Sequence, residues 1–205
     1  MKETRVRYAP SPTGDPHVGN LRSAIFNWLH AKNQNGKFIL RIEDTDQSRM
    51  VKDGIQKQKD ALTWLGMKWD ELYIQSERLD IYSKYSQMLI DEDKAYRCFA
   101  TAEELEKLRE KQKSQGKITR YDGRYRNYDK NESFERSKNE PFVIRFKSPQ
   151  EGSTKCFDQI RGEIVFNNKE LDDFVIIKSD GFPTYHFANV IDDYLMQISH
   201  VMRAE

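Results

Sequence analysis

The sequence predicts an α/β fold: a doubly wound parallel sheet interrupted by an α+β insertion. Three observations predict it. A strand, a helix and a second strand follow one another within residues 6–42, the order of a βαβ unit. A loop rich in Pro and Gly, residues 10–16, separates the first strand from the helix. Further on the alternation breaks, and short β segments follow a basic, tyrosine-rich stretch. A parallel pair joined through a helix takes a right-handed crossover. Open sheets of this kind bind ligands at the carboxyl ends of their strands.

Val6 to Ala9 reads as a short buried strand. Asn20 serves as the N-cap of a helix over residues 21–33, because Leu21, Ala24, Ile25, Trp28 and Leu29 recur at helical spacing. Asn35-Gly36 ends it. Phe38 to Ile42 is a strand that runs into Glu43-Asp44-Thr45-Asp46. Asp53 to Leu65 is a second helix, closed by Gly66, and Ser76 caps a third that carries Ile81, Tyr85, Met88 and Leu89 on one face. Tyr96 to Phe99 is a strand. Thr101-Ala102-Glu103-Glu104 is a capping box that opens a helix to about Lys113. Strands are expected at Phe142–Lys147, Ile160–Phe166 and Phe174–Lys178, with a turn at Ser179-Asp180-Gly181. A helix from Tyr185 to Leu195 precedes a strand-like stretch, Ile198 to Met202. The division expected is a first half-sheet at 1–71, an insertion at 72–182, and the start of a second half-sheet at 183–205. Ending on such a stretch, the chain reads as a fragment.

Composition excludes some classes. The 205 residues carry 34 Lys and Arg against 33 Asp and Glu, a net charge of +1, so a nucleic-acid partner must be met by a local patch. That patch is residues 109–130, where eight Lys/Arg face three acids and Tyr121, Tyr125 and Tyr128 are interleaved. Arg109, Lys117, Arg120, Arg124 and Arg126 are its candidate phosphate contacts, and the tyrosines could stack on unpaired bases. A solvated charged helix and loop fits the same stretch. No apolar run approaches the ~20 residues of a membrane span, and residues 1–5 lead into no signal-peptide core. Cys98 and Cys156 are far apart and read as reduced thiols. A monomeric cytoplasmic protein is expected.

The chemistry concentrates in Arg7-Tyr8-Ala9-Pro10-Ser11-Pro12-Thr13-Gly14-Asp15-Pro16-His17-Val18-Gly19-Asn20. Strand, loop and helix N-terminus together offer backbone N–H groups to a phosphate. Gly19 lets a ribose or adenine approach the backbone, and His17 could donate to a phosphate oxygen. His-x-Gly alone also fits a loop histidine with an ordinary hydrogen bond.

These runs, with Arg41-Ile42-Glu43-Asp44-Thr45-Asp46, the Asp180 to Asp193 segment and His200-Val201-Met202-Arg203, resemble the N-terminal half of glutamyl-tRNA synthetases. These are class I aminoacyl-tRNA synthetases, with a Rossmann-like catalytic domain. The resemblance covers essentially the whole chain. It implies that Arg7 receives the substrate's side-chain carboxylate, that Glu43 meets the α-ammonium, and that Ala9, Ser11, Tyr185, Asn189 and Arg203 complete a glutamate site. It implies an ATP site at Pro12, Thr13, Gly14, His17, Gly19 and Asn20, with His17 and Asn20 in the catalytic positions and Mg²⁺ carried by ATP. The insertion would receive the acceptor end of tRNA(Glu). The implied reaction is two-step: the glutamate α-carboxylate attacks the α-phosphorus of ATP, and the terminal ribose of tRNA then takes the glutamyl group.

Three departures stand out. Asn20 occupies the place of a frequent second histidine. No Lys-Met-Ser-Lys-Ser-type segment and no anticodon-binding domain occur within these 205 residues. Nor does the Cys-x-Cys pair through which some members hold zinc, so no zinc and no metal ligand is expected. Other readings are a paralogue that glutamylates a queuosine base of tRNA, and a non-catalytic tRNA- or amino-acid-binding module. A small nucleotidyltransferase with a His-x-Gly-His site leaves Arg7, Glu43 and Tyr185–Asn189 unexplained.

Overall fold

A computed structural model describes residues 3–203. The chain forms two compact units, residues 1–82 with 182–205, and residues 83–181. The division falls at 82/83 rather than 71/72, because a strand at Glu71–Ile74 extends the parallel sheet of the first unit.

In the first unit, β1 (Arg5–Tyr8), β2 (Lys37–Ile42) and β3 (Glu71–Ile74) form a parallel sheet in the order β1-β2-β3. Side chains alternate across it. Val6, Tyr8, Phe38, Leu40 and Ile42 build one core with Ala24 and Ala31 of α1 (Val18–Asn33) and Leu62 of α2 (Gly54–Trp64). The register pairs Arg7 with Ile39 and Arg41 with Tyr73, so Arg5, Arg7, Arg41, Glu71 and Tyr73 share the opposite face. That face meets Asn189, Asp193 and Met196 at and just beyond α6 (Tyr185–Leu195). Helices thus cover both faces, as the doubly wound reading requires.

Three local expectations fail here. The N-cap of α1 is His17, not Asn20. Its backbone is extended (φ −130°, ψ 162°), and its carbonyl accepts the N–H groups of Asn20 and Leu21. Once Pro16 is passed, nothing in Val18-Gly19-Asn20 opposes helical dihedrals. Ser76 caps no helix. It lies in a 3₁₀ turn, Gln75–Arg78, that leads into α3 (Leu79–Asp91), and its N–H donates to Asp44 Oδ1 at 2.8 Å. Residues 198–202 form no strand. Ser199 N–H does donate to the Arg5 carbonyl, but the Arg5 N–H donates to Ser199 Oγ instead of a backbone oxygen, so no ladder propagates.

The second unit holds the antiparallel sheet β4 (Ala95–Cys98), β5 (Val143–Phe146) and β8 (Val175–Ile177), and a separate hairpin of β6 (Ser153–Asp158) and β7 (Gly162–Asn167). α4 (Ala102–Ser114) starts at the expected Thr101–Glu104 capping box, with both reciprocal bonds made. α5 (Lys130–Ser137), β3 and β6 have no counterpart in the sequence reading. No helix among the described residues is long and apolar enough to cross a membrane.

Candidate active site

The site is built on the polar face of the first unit's sheet. Arg41 sits mid-strand in β2 with no exposed surface. Its Nε and Nη2 donate to Glu43 Oε1 at 3.3 and 3.0 Å, and its Nη1 donates to Asp193 Oδ1 at 2.6 Å. Nη2 also donates to Asn189 Oδ1 at 2.6 Å. Arg7, 5 % exposed, donates through Nε to the same Asp193 oxygen at 2.8 Å. Two buried guanidinium groups and two carboxylates thereby form one charge-balanced cluster. Burial holds the Glu43 carboxyl above its ordinary pKa, while the Arg41 charge pulls it back.

Arg7 Nη1 and Nη2 have no acceptor among the described residues. A guanidinium whose outer fork is unpaired suits a bidentate carboxylate. Of the sequence-derived candidates, the structure links Arg7, Glu43 and Asn189 through Arg41 and Asp193. Tyr185 stands one helical turn before Asn189, half exposed at the start of α6. Ala9 and Ser11 lie in the loop after β1, Ser11 exposed. Arg203 is exposed and lies outside any helix or strand.

That loop is pinned at two carbonyls. Pro10 accepts the Glu43 N–H at 2.9 Å and Pro12 accepts the Val51 N–H at 3.1 Å. Gly54 allows the second approach: a Cβ there would stand 2.7 Å from the Pro12 oxygen. Beyond the loop, Thr13 and Gly14 are half-buried and His17, Gly19 and Asn20 exposed. Gly19 lies against the His17 ring, where a Cβ would be 3.1 Å from the imidazole. The Val18 and Gly19 N–H groups have no acceptor among the described residues, and α1 carries no acid in its first turn. Such a helix end favours an anion.

In the second unit, Lys117 and Arg120 line a groove of about 500 Å³ with Gln112, Tyr121, Asp172 and Asp173. Arg109 pairs with Glu106 and Arg124 with Asp122, all at the surface. Arg126 is drawn inward to Asp173 and the Ser148 carbonyl. The tyrosines are absorbed too. Tyr121 is buried, accepting a hydrogen bond from Cys98 Sγ at 3.3 Å, and Tyr125 and Tyr128 pack edge-on against Phe99 under the Arg136 guanidinium. Their polar edges disguised them in the sequence as surface residues. Among the described residues no three His, Cys, Asp or Glu side chains converge on a metal site.

Residues 3–205 match the family model of the tRNA synthetases class I (E and Q), catalytic domain.

The chain belongs to this synthetase family.

A glutamate–tRNA ligase of Dehalococcoides mccartyi (strain CBDB1) is 50 % identical over 212 residues, 99 % of this chain and 42 % of the relative. One of Bacillus velezensis is 51 % identical over 215 residues, 99 % of this chain and 44 % of the relative. The crystal structure of a glutamate tRNA ligase from Elizabethkingia meningosepticum, in complex with its amino acid, superposes with a TM-score of 0.91 at 42 % identity, covering 98 % of this chain and 43 % of that one. The chain therefore spans less than half the length of these synthetases. Its parallel sheet and helices match their catalytic domain.

Sequence reasoning passed over Arg41 and Asp193, which join the site. A charged residue inside the apolar run Phe38 to Ile42, and the i, i+4 spacing of Asn189 and Asp193, were the available signals.

Proposed function

We propose that the chain is the glutamate- and ATP-binding portion of a glutamate–tRNA ligase. The observation that carries this reading is the buried Arg7, held by Asp193 through Nε with its two outer nitrogens unpaired. Arg7 receives the side-chain carboxylate, Glu43 the α-ammonium, and Ala9, Ser11, Tyr185, Asn189 and Arg203 border the amino acid. The loop Pro12–Gly14, His17, Gly19, Asn20 and the first N–H groups of α1 hold the phosphates of ATP, which enters as its Mg²⁺ complex.

The glutamate α-carboxylate oxygen forms a bond to the α-phosphorus, the bond to the bridging oxygen breaks, and pyrophosphate leaves. The terminal ribose hydroxyl of tRNA(Glu) then attacks the acyl carbon, and AMP leaves. The chain's own residues act by holding the reactants in line and by donating hydrogen bonds to the phosphate oxygens, with His17 and the helix terminus at the developing charge. No enzyme nucleophile is needed. The second unit, as the insertion, takes the acceptor end. The exposed Arg109, Lys117, Arg120 and Arg124 neutralise phosphates there, while Arg126 braces Asp173. The protein acts as a cytoplasmic monomer.

Glutamate-dependent exchange of pyrophosphate into ATP tests the reading, in a longer protein that contains this chain. Exchange is expected with glutamate, and little with the 205 residues alone. Robust exchange driven by another amino acid, or none in the longer protein, overturns it.

A further inference from the structure

Arg41 has no exposed surface, and its four contacts use Nε, Nη1 and Nη2 as donors. A guanidinium can only donate. Asn189, 9 % exposed, must therefore turn its carbonyl oxygen toward Arg41, as the 2.6 Å contact records. The amide Nδ2 is the end left over, and it has no acceptor among the described residues. Through Asp193, Arg41 also shares the anchor of Arg7, whose Nη1 and Nη2 are likewise unengaged. What the cluster leaves available at Asn189 and Arg7 is a set of donors with no acceptor among them.

We propose that Arg41 is a positioning residue that sets side-chain specificity: by taking Asn189 Oδ1 and sharing Asp193 with Arg7, it leaves only donors for the ligand, so the site accepts a carboxylate and rejects the isosteric amide. This inference rests on the glutamate reading given above. A primary amide would set its own NH₂ against these donors and leave buried groups unpaired, and sites of that kind discriminate strongly. Glu43 and Asp193 supply the counter-charges that let Arg41 stay buried in this role.

The test titrates the 205-residue chain with L-glutamate and with L-glutamine by calorimetry. The unaltered chain is expected to prefer glutamate by at least about a hundredfold. Asn189→Asp keeps an oxygen on Arg41 but removes the NH₂ donor. It should retain the melting temperature while the preference falls at least tenfold. Arg41→Lys keeps the charge, but a compact ammonium cannot span three acceptors, so Asn189 is released and the preference falls similarly. A merely structural role would weaken both ligands alike and leave their ratio unchanged. An unchanged ratio in the folded variants overturns the inference and leaves the glutamate reading standing. Binding of neither amino acid by the unaltered chain overturns both. If Arg41→Lys does not fold, Asn189→Asp decides alone.

Discussion

Asp192 and Asp193 are neighbours on α6, yet their carboxylates serve different elements. Asp193 takes Arg7 and Arg41 from the two central strands. Asp192, fully buried, accepts Arg78 Nε at 3.0 Å, Gln75 Nε2 at 2.9 Å and the Tyr82 hydroxyl at 2.8 Å. One residue fixes the ligand-facing arginines and the next fixes the turn that enters α3.

Asp192→Ala strands a buried arginine and a tyrosine hydroxyl. The loss should be about 3–5 kcal/mol, measured by urea unfolding. Because Asp192 touches none of the proposed ligand groups, glutamate affinity in the folded fraction should stay close to that of the unaltered chain.

Arg7→Lys separates charge from shape. The ammonium keeps a cation beside Asp193 but lacks the outer fork. Glutamate affinity should fall at least about tenfold, or 1.4 kcal/mol, with little change in melting temperature. Calorimetric titration and thermal unfolding of the same sample check both halves.

Gly54→Ala probes the loop from behind. Alanine is the better helix former by about 1 kcal/mol, so α2 itself gains. The new Cβ would stand 2.7 Å from the Pro12 carbonyl oxygen, and the loop must yield. Affinity for MgATP should drop about tenfold in an equilibrium titration while urea stability is kept.

The Arg5–Glu71 pair sets a pH dependence. Arg5 Nη1 and Nη2 donate to the two Glu71 oxygens at 2.8 and 2.9 Å, and these hydrogen bonds hold the Glu71 carboxyl below its ordinary 4.5. A depressed folded-state pKa contributes stability that is full above the unfolded value and lost as pH falls through the folded one. The stability gap to Glu71→Gln should be about 1 kcal/mol at neutral pH and vanish in acid. Urea melts from about pH 7 to pH 3 would follow it.

Much of the first unit was legible because its elements declare themselves in apolar spacing. β2 is a run buried on both faces, and α1 and α6 keep helical period. β3 escaped because Glu71-Leu72-Tyr73-Ile74 is short and only partly buried, with a carboxylate whose partner is 66 residues away. α5 and β6 are polar, exposed segments, and no periodicity marks them. In the site, Arg7, Glu43 and Asn189 could be named from motifs. Arg41 could not, because its role depends on three acceptors that only folding assembles. Tyr121, Tyr125 and Tyr128 looked like a stacking surface because a sequence cannot show which ring already has a neighbour.

A crystal structure of this chain grown with L-glutamate tests the central claim most directly. The side-chain carboxylate should lie within hydrogen-bond distance, about 2.7–3.2 Å, of Arg7 Nη1 or Nη2, with the Arg7–Asp193 contact kept. Glutamate bound elsewhere in the chain, or an Arg7 fork that stays unpaired at saturating glutamate, would contradict it.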